Sequence, residues 1–143
     1  ILVKRDNFHA AFHGFDVGKV AQFTAQDVER LLQDKGIVRH RGKIEAVINN
    51  ARCAVDLVGE AGSLARFFWR YEPDPKGLAA PGSVSVSEAS KALARDLKKR
   101  GWKFVGPTTV YAFMQAMGLV NDHVEGCVYR DAVASARASF TRP

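Results

Sequence analysis

Long apolar runs are missing from this sequence, and no stretch approaches the roughly 20 residues that a membrane-spanning helix needs. Strict alternation of apolar and polar residues, which is typical of half-buried strands, is also missing, and there is no internal repeat. Cysteine is scarce: Cys53 and Cys127 are the only two, which favours a reducing compartment over a disulfide-rich secreted scaffold. These absences exclude the membrane-spanning, repeat and disulfide-framework classes.

What remains is the composition of an ordinary globular domain with an excess of positive charge. The 143 residues are 47% hydrophobic and 25% charged, which is enough chain to bury a substantial core. The formal net charge of +6 favours a polyanionic partner without saying which one. The sequence starts at Ile1, and its only methionines are Met114 and Met117. We therefore expect a fragment, a processed product or an incomplete sequence.

Apolar residues recur every three or four positions along most of the chain, and this spacing predicts an all-α protein. We expect one domain over residues 1–143, with a surface loop at 72–86 and an irregular tail after 129. In the fourth predicted helix, the apolar face includes Val55 and Val58, and Gly59 and Gly62 end the helix. The predicted helices run over about 4–15, 16–23, 24–35, 44–60, 63–69, 87–100 and 107–117. We expect Asp16 to cap the second of these, Thr24 with Asp27 to cap the third, and Gly118 to end the last.

A short basic segment separates the third and fourth predicted helices and reads Gly36-Ile37-Val38-Arg39-His40-Arg41-Gly42-Lys43. We expect Gly36 to follow a helix end, where a positive φ favours glycine. A glycine-containing turn that leads into a helix N-terminus points backbone N–H groups outward, and the helix dipole attracts an anion there. With Arg39, Arg41 and Lys43 added, the segment indicates a helix-hairpin-helix grip on DNA phosphates. The alternative is an ordinary helical corner with a solvated basic turn.

A second informative pair is His123 and Cys127, which are four residues apart and would share one face of a helical turn. Imidazole and thiolate are good zinc ligands, but a structural zinc site uses four ligands and this pair supplies two. His9 and His13 have the same spacing and are possible partners. The alternative is a hydrogen-bonded histidine beside a buried thiol.

Several long motifs carry a family resemblance. They are Lys4-Arg5 followed by Phe8, Ala11 and Phe12; Asp27 to Ile44; Ser90-Lys91-Ala92-Leu93; Leu97 to Thr108; Tyr111 to Ala116; and Gly118 to His123. On these motifs the chain resembles DNA-3-methyladenine glycosylase type I over residues 1 to about 130. The resemblance implies a helix-hairpin-helix glycosylase fold and base-excision repair by hydrolysis of the N-glycosidic bond of 3-methyladenine in alkylated, double-stranded DNA.

The resemblance also implies roles for particular residues. The hairpin residues Gly36, Val38, Arg39, Arg41, Gly42 and Lys43 become the DNA contact. His123 and Cys127 become half of a structural zinc site, and Ala112 lies in a wall of the base pocket.

In the family, the other two zinc ligands, the aromatic base pocket, its acidic residue and the residue wedged into the DNA lie in a segment before the position of Ile1. We therefore assign no catalytic residue in this chain, and we expect it to bind zinc poorly. The resemblance further implies a cytoplasmic bacterial protein that is monomeric when intact. One alternative is a DNA-binding remnant without catalysis, and another is a basic helical domain with no nucleic-acid role.

Overall fold

The computed structural model describes all residues from 1 to 143 and contains helices and turns but no strand. No helix combines the length and hydropathy needed to cross a membrane. The all-α class predicted from the sequence is confirmed. Short 3-10 turns lie at Leu2–Lys4, His13–Phe15 and Pro75–Gly77. The α-helices are α1 (Arg5–Ala11), α2 (Val17–Ala21), α3 (Ala25–Gln33), α4 (Arg41–Ala61), α5 (Leu64–Trp69), α6 (Glu88–Lys99), α7 (Pro107–Ala116) and α8 (Arg130–Ser139).

The chain divides into two compact units. The first contains residues 1–60 together with 100–104, and the second contains residues 61–99 together with 105–143. The single domain expected from the sequence stays a prediction.

In the first unit, side-chain caps set where the short helices begin. The Asp16 carboxylate accepts a hydrogen bond from the Lys19 amide at 3.0 Å and starts α2, as its position in the sequence predicts. The Asp27 carboxylate reaches back to the Thr24 amide at 2.8 Å and starts α3. Helices α1 to α4 and the turns between them contribute to one apolar core. Its buried members are Ala11, Phe12, Val20, Phe23, Val28, Leu31, Ile37, Ile44, Ile48 and Ala51.

The buried side of α4 differs from the predicted apolar face. Val55 is 46% exposed and Val58 is 39% exposed, so the prediction that both lie on the buried face is wrong. After Ala51 the buried side rotates around the helix, and the residues that it then includes are Ala54, Leu57 and Ala61. Gly59 does not end α4 either, because the helix continues to Ala61 and stops at Gly62, which has a φ of +90°.

In the second unit, α6 and α7 pack against each other around Leu93 and Met114, which are both fully buried. Ser87 and Ser90 cap the start of α6 reciprocally, since each backbone amide donates to the other hydroxyl at 2.9 and 3.1 Å. Helix α7 ends before Gly118, whose φ of +80° confirms its predicted role as a stop.

The tail after 129 is not irregular, and that prediction is wrong. Residues Arg130–Ser139 form α8, which buries none of its residues. Polar contacts and one ring contact hold the segment: Arg137 and Arg142 donate to the Glu72 carboxylate at 2.8 and 2.7 Å, Asn121 donates to the Arg130 carbonyl at 2.9 Å, and the Phe140 ring lies 4.8 Å from that of Trp69. The Arg142 guanidinium also lies 5.3 Å from the centre of the Trp69 ring. A helix without an apolar stripe gives no periodic signal in the sequence, which is why it was missed.

Candidate nucleic-acid interface

The hairpin between α3 and α4, residues 34–40, is a tight turn anchored at both ends. The Asp34 carboxylate accepts a hydrogen bond from the Gly36 amide at 2.7 Å. Ile37 is only 1% exposed and inserts into the core of the first unit. Val38, at 42% exposure, and Arg39 remain in solvent. The turn therefore presents a basic and partly apolar tip on a fixed base.

Gly36 serves a different purpose from the predicted one. Its φ is not positive, and α3 ends at Asp34 in an extended conformation, so the helix-stop role is wrong. A Cβ atom at Gly36 would lie 3.0 Å from the Asp34 carboxylate and 3.1 Å from the side-chain carbon of Asn7. Asn7 donates from its side-chain amide to the Gly36 carbonyl at 3.1 Å. Glycine is favoured here because two side chains approach the backbone closely.

The N-terminus of α4 leaves two backbone amides available to an anion. The His40 ring caps the helix, since its Nδ1 accepts from the Lys43 amide at 3.1 Å. The first intrahelical bond runs from the Ile44 amide to the His40 carbonyl at 3.0 Å. The amides of Arg41 and Gly42 precede it and have no acceptor within the helix. These two donors, together with the positive end of the helix dipole, suit a phosphate oxygen.

The three cations of the segment are not equivalent. Arg39 and Lys43 are exposed. Arg41 pairs instead with Glu29 at 2.6 Å and with Glu45 at 3.7 Å. The hydrogen bond to Glu29 raises the pKa of Arg41. Sequence reasoning grouped the three cations together, because Glu29 lies on α3, twelve residues before Arg41.

His123 and Cys127 come together as predicted, although the turn that joins them is not helical. The Cys127 amide donates to the Val124 carbonyl at 3.1 Å, and Gly126 takes a φ of +83°. The His123 Nδ1 and Cys127 Sγ atoms are 3.5 Å apart. Zinc binds sulfur at about 2.3 Å and nitrogen at about 2.05 Å, which separates two tetrahedral ligands by about 3.6 Å. The separation fits a hydrogen bond between the two side chains, and it is also close to the spacing of two ligands of one zinc ion.

No further ligand completes that pair. No group of three His, Cys, Asp or Glu residues is arranged to hold a metal ion. His9 and His13 belong to the first unit, where their rings contact Phe15 and Phe23. The suggestion that these two histidines complete the site stays a prediction.

The sequence predicts only a surface loop at 72–86, but in the structure this loop forms part of a cavity wall. With its neighbours in the second unit it lines a cavity of about 740 Å³. Asp122 holds the loop, since its carboxylate accepts from the Gly82 amide at 3.0 Å and from Gln115 at 2.7 Å. Burial, and then the Asp122 charge, raise the pKa of Tyr111 beside the cavity. No local motif signals this cavity, because its walls come from separate parts of the chain.

Comparisons with known proteins agree with the motifs. Residues 1–131 match the family model described as methyladenine glycosylase. The chain is 49% identical over 131 residues to DNA-3-methyladenine glycosylase 1 of Escherichia coli (strain K12), covering 89% of this chain and 70% of the relative. It is 43% identical over 133 residues to DNA-3-methyladenine glycosylase of Haemophilus influenzae, covering 89% of this chain and 71% of the relative.

Solved structures give the same result for the fold. A crystal structure of 3-methyladenine DNA glycosylase I superposes with a TM-score of 0.80 at 47% identity, covering 89% of this chain and 72% of that one. The Staphylococcus aureus 3-methyladenine DNA glycosylase I superposes with a TM-score of 0.82 at 37% identity, covering 89% and 70%. With a family model across 131 residues and relatives this similar, the chain belongs to the methyladenine glycosylase family.

Proposed function

We propose that this protein is a base-excision repair glycosylase that hydrolyses the N-glycosidic bond of 3-methyladenine in alkylated DNA. The observation that carries this proposal is the family match over residues 1–131, which includes the hairpin and both of its helices. The named activity of the two relatives, at 49% and 43% identity, is that of a DNA-3-methyladenine glycosylase.

The reaction does not need a strongly activated nucleophile. 3-Methyladenine in DNA carries a formal positive charge and is already a good leaving group. The enzyme has to extrude the nucleotide from the stack, hold the base and admit water to the sugar carbon. Water adds to that carbon, and the bond electrons leave with the base. No lysine Schiff base is needed, and we assign no catalytic residue in this chain.

We propose that the hairpin holds one DNA strand by its phosphates. The amides of Arg41 and Gly42 at the start of α4 are available to a phosphate oxygen, and the exposed Arg39 and Lys43 add charge beside them. Val38 supplies an exposed apolar contact at the same tip. Contacts of this kind position a duplex without reading its sequence. The preferred partner is double-stranded DNA that contains an alkylated base.

The ion pairs of Arg41 suggest a division of labour within the hairpin. Its bond to Glu29 links α4 to α3, whereas its longer pair with Glu45 lies within α4, and all three side chains are exposed. A phosphate that recruits Arg41 must compete with both carboxylates. Arg39 and Lys43 therefore carry most of the salt-dependent grip, and Arg41 acts mainly through its backbone amide.

We propose that His123 and Cys127 supply two ligands of a structural zinc ion. The support is the 3.5 Å separation of Nδ1 and Sγ, which suits adjacent corners of a tetrahedron. A zinc ion bound there stabilises the turn at 123–127 and takes no part in bond cleavage. With two ligands alone, this chain binds zinc weakly. Metal analysis after dialysis tests this, since tight stoichiometric zinc, abolished by His123→Ala, would contradict the two-ligand account.

We further propose that the protein acts as a monomer in the bacterial cytoplasm. Support comes from the bacterial relatives, which are DNA glycosylases, and from the two free cysteines. Sedimentation of the chain at several concentrations tests the monomer.

The deciding experiment is release of 3-methyladenine from alkylated duplex DNA by the protein. Release above the spontaneous rate supports the glycosylase. Salt-dependent binding to the same DNA without release supports the second candidate, a non-catalytic protein that binds DNA through the hairpin. If the protein does not bind the DNA, and Lys43→Gln gives the same result, both the glycosylase and the DNA-binding candidate are contradicted.

A further inference from the structure

We propose that residues 101–104, here called the 101–104 turn, form a second DNA contact next to the hairpin, with Lys103 on a phosphate and Phe104 stacked on an unpaired base. The inference rests on the proposed function, since it presumes that DNA is the partner. It adds a site on a part of the first unit that lies far from the hairpin in the sequence.

The 101–104 turn is clamped to α4 by two asparagines. The Asn50 side chain donates to the Lys103 carbonyl and accepts from the Lys103 amide, both at 2.8 Å. Asn49 donates to the Gly101 carbonyl, also at 2.8 Å. An amide side chain that pairs with both backbone groups of one residue fixes the position and orientation of that residue. The turn is therefore held rigidly although its own residues form no helix.

The clamp presents a cation and an aromatic ring to solvent. Lys103 is exposed, and Phe104 is 59% exposed. Phe104 also has a φ of +57°, in the left-handed region that side-chain-bearing residues disfavour. More than half of the Phe104 side chain is therefore in solvent, on backbone that disfavours it. Strain of this kind persists where the surroundings enforce it, and it concentrates at ligand-binding sites.

The position of the clamp on α4 connects the turn to the hairpin. Lys43 and Asn50 are seven residues apart, so they lie on the same face of α4, two turns or about 10 Å along its axis. Lys43 is exposed at the hairpin end, and Lys103 is fixed at Asn50. Two exposed lysines are therefore attached to α4 about two turns apart, one at its hairpin end and one at Asn50.

The combination of groups identifies the ligand. Proteins that hold unpaired nucleotides place a cation on the phosphate and an aromatic side chain under the base. Lys103 and its neighbour Phe104 supply this pair on one rigid turn. A glycosylase must unstack a nucleotide, so its substrate offers an unpaired base close to a gripped phosphate.

The main test is Phe104→Gly, read out by two measurements. Glycine relieves the positive φ, so thermal stability should stay equal or rise. Affinity for a duplex with a single unpaired adenine should fall by about tenfold, because base stacking is lost. Affinity for the intact duplex should change by less than about twofold.

Phe15→Gly is the matched control. Phe15 has a φ of +56° and is 48% exposed, so it shares the strain and the exposure of Phe104. Its ring stacks on Phe12 at 5.6 Å within the first unit. This variant should bind both DNAs as the unchanged protein does.

Two further variants separate stacking from charge. Phe104→Leu keeps apolar bulk and removes the aromatic face, so it should weaken binding to the unpaired-adenine duplex nearly as much as Phe104→Gly. Lys103→Ala should lower the slope of log affinity against log salt by about 0.7–0.9, the contribution of one phosphate.

The proposal is wrong if Phe104→Leu binds as tightly as the unchanged protein. It is also wrong if Phe104→Gly lowers thermal stability and leaves both affinities unchanged, because the ring then packs on protein. The double variant Arg39→Ala with Lys43→Ala separates the proposed DNA binding by the hairpin from the proposed second contact at the 101–104 turn. If it alone weakens binding, the hairpin function stands and the second contact fails. If the unchanged protein binds no DNA, the proposed function itself fails.

Discussion

The hairpin at 34–40 and the C-terminal helix α8 are held in place by opposite means. The hairpin depends mainly on neighbours in the chain, because Asp34 bonds to Gly36 and His40 caps the helix that follows, and only the Asn7 bond to Gly36 comes from a distant residue. Helix α8 depends on Glu72, which lies 65 and 70 residues before Arg137 and Arg142. Ile37 anchors the hairpin in a core, whereas α8 buries no residue. Hydrogen bonds between chain neighbours and a buried apolar residue can be predicted from a local sequence pattern, whereas ion pairs between distant residues cannot.

The largest expected effect comes from removing the buried anchor of the hairpin. Ile37→Ala deletes a side chain that is 1% exposed, so it should lower the free energy of unfolding by about 2–5 kcal/mol. Urea denaturation of both proteins measures the difference. Val38→Ala, at a neighbour that is 42% exposed, is the control and should change stability by less than about 0.5 kcal/mol. If the two variants lost equal amounts of unfolding free energy, Ile37 would not be the residue that anchors the hairpin.

A smaller effect should follow from Gly36→Ala. The added Cβ would meet Asp34 at 3.0 Å and Asn7 at 3.1 Å, and a retreat of either side chain lengthens its hydrogen bond to Gly36. We expect a loss of about 1–3 kcal/mol of unfolding free energy. Gly59→Ala is the opposite control, since nothing lies within 4 Å of its Cβ position inside α4. It should gain about 0.5–1 kcal/mol from helix propensity, and a loss there would contradict the contrast between a crowded Gly36 and an open Gly59.

The attachment of α8 should respond to pH and to Glu72→Gln. Hydrogen bonding to Arg142, and the charges of both arginines, lower the pKa of Glu72. A lowered carboxylate pKa means that stabilisation is complete above the unfolded value near 4.5 and is lost as the pH falls through the folded value.

Hydrogen exchange in α8 measures this attachment. At neutral pH, Glu72→Gln should speed exchange in α8 and leave α3 unchanged. The variant and the unchanged protein should converge at low pH. Equal protection of α8 in the two proteins at neutral pH would mean that Glu72 does not hold the helix.

The smallest effects should come from surface charges of the hairpin. Lys43→Gln should lower the slope of log affinity against log salt by about 0.9, and Arg41→Gln should lower it by less. Glu29→Gln should raise DNA affinity, because it removes the 2.6 Å partner that occupies Arg41. Fluorescence titration of duplex DNA at several salt concentrations measures all three. Equal slopes for Lys43→Gln and Arg41→Gln would contradict the division of labour.

Much of the fold and part of the candidate site were predictable from the sequence. The helical class, the caps at Asp16 and Asp27 and the stop at Gly118 follow from local chemistry, and the structure confirms them. The hairpin segment and the His123–Cys127 pair were also found from spacing and residue type. The role of Gly36 was misjudged, because the approach of Asn7 across the turn has no local signal.

By itself, the sequence determined the all-α class, the family and the location of the basic hairpin. Each depends on residues a few positions apart or on long contiguous motifs. Only the tertiary structure decided which cations are free, because the partner of Arg41 lies on another helix. It also decided that the tail forms a helix held by Glu72, and that Asn50 presents Lys103 from 53 residues away. The physical reason is that hydrogen bonds and ion pairs depend on distance in space, which folding sets independently of separation along the chain.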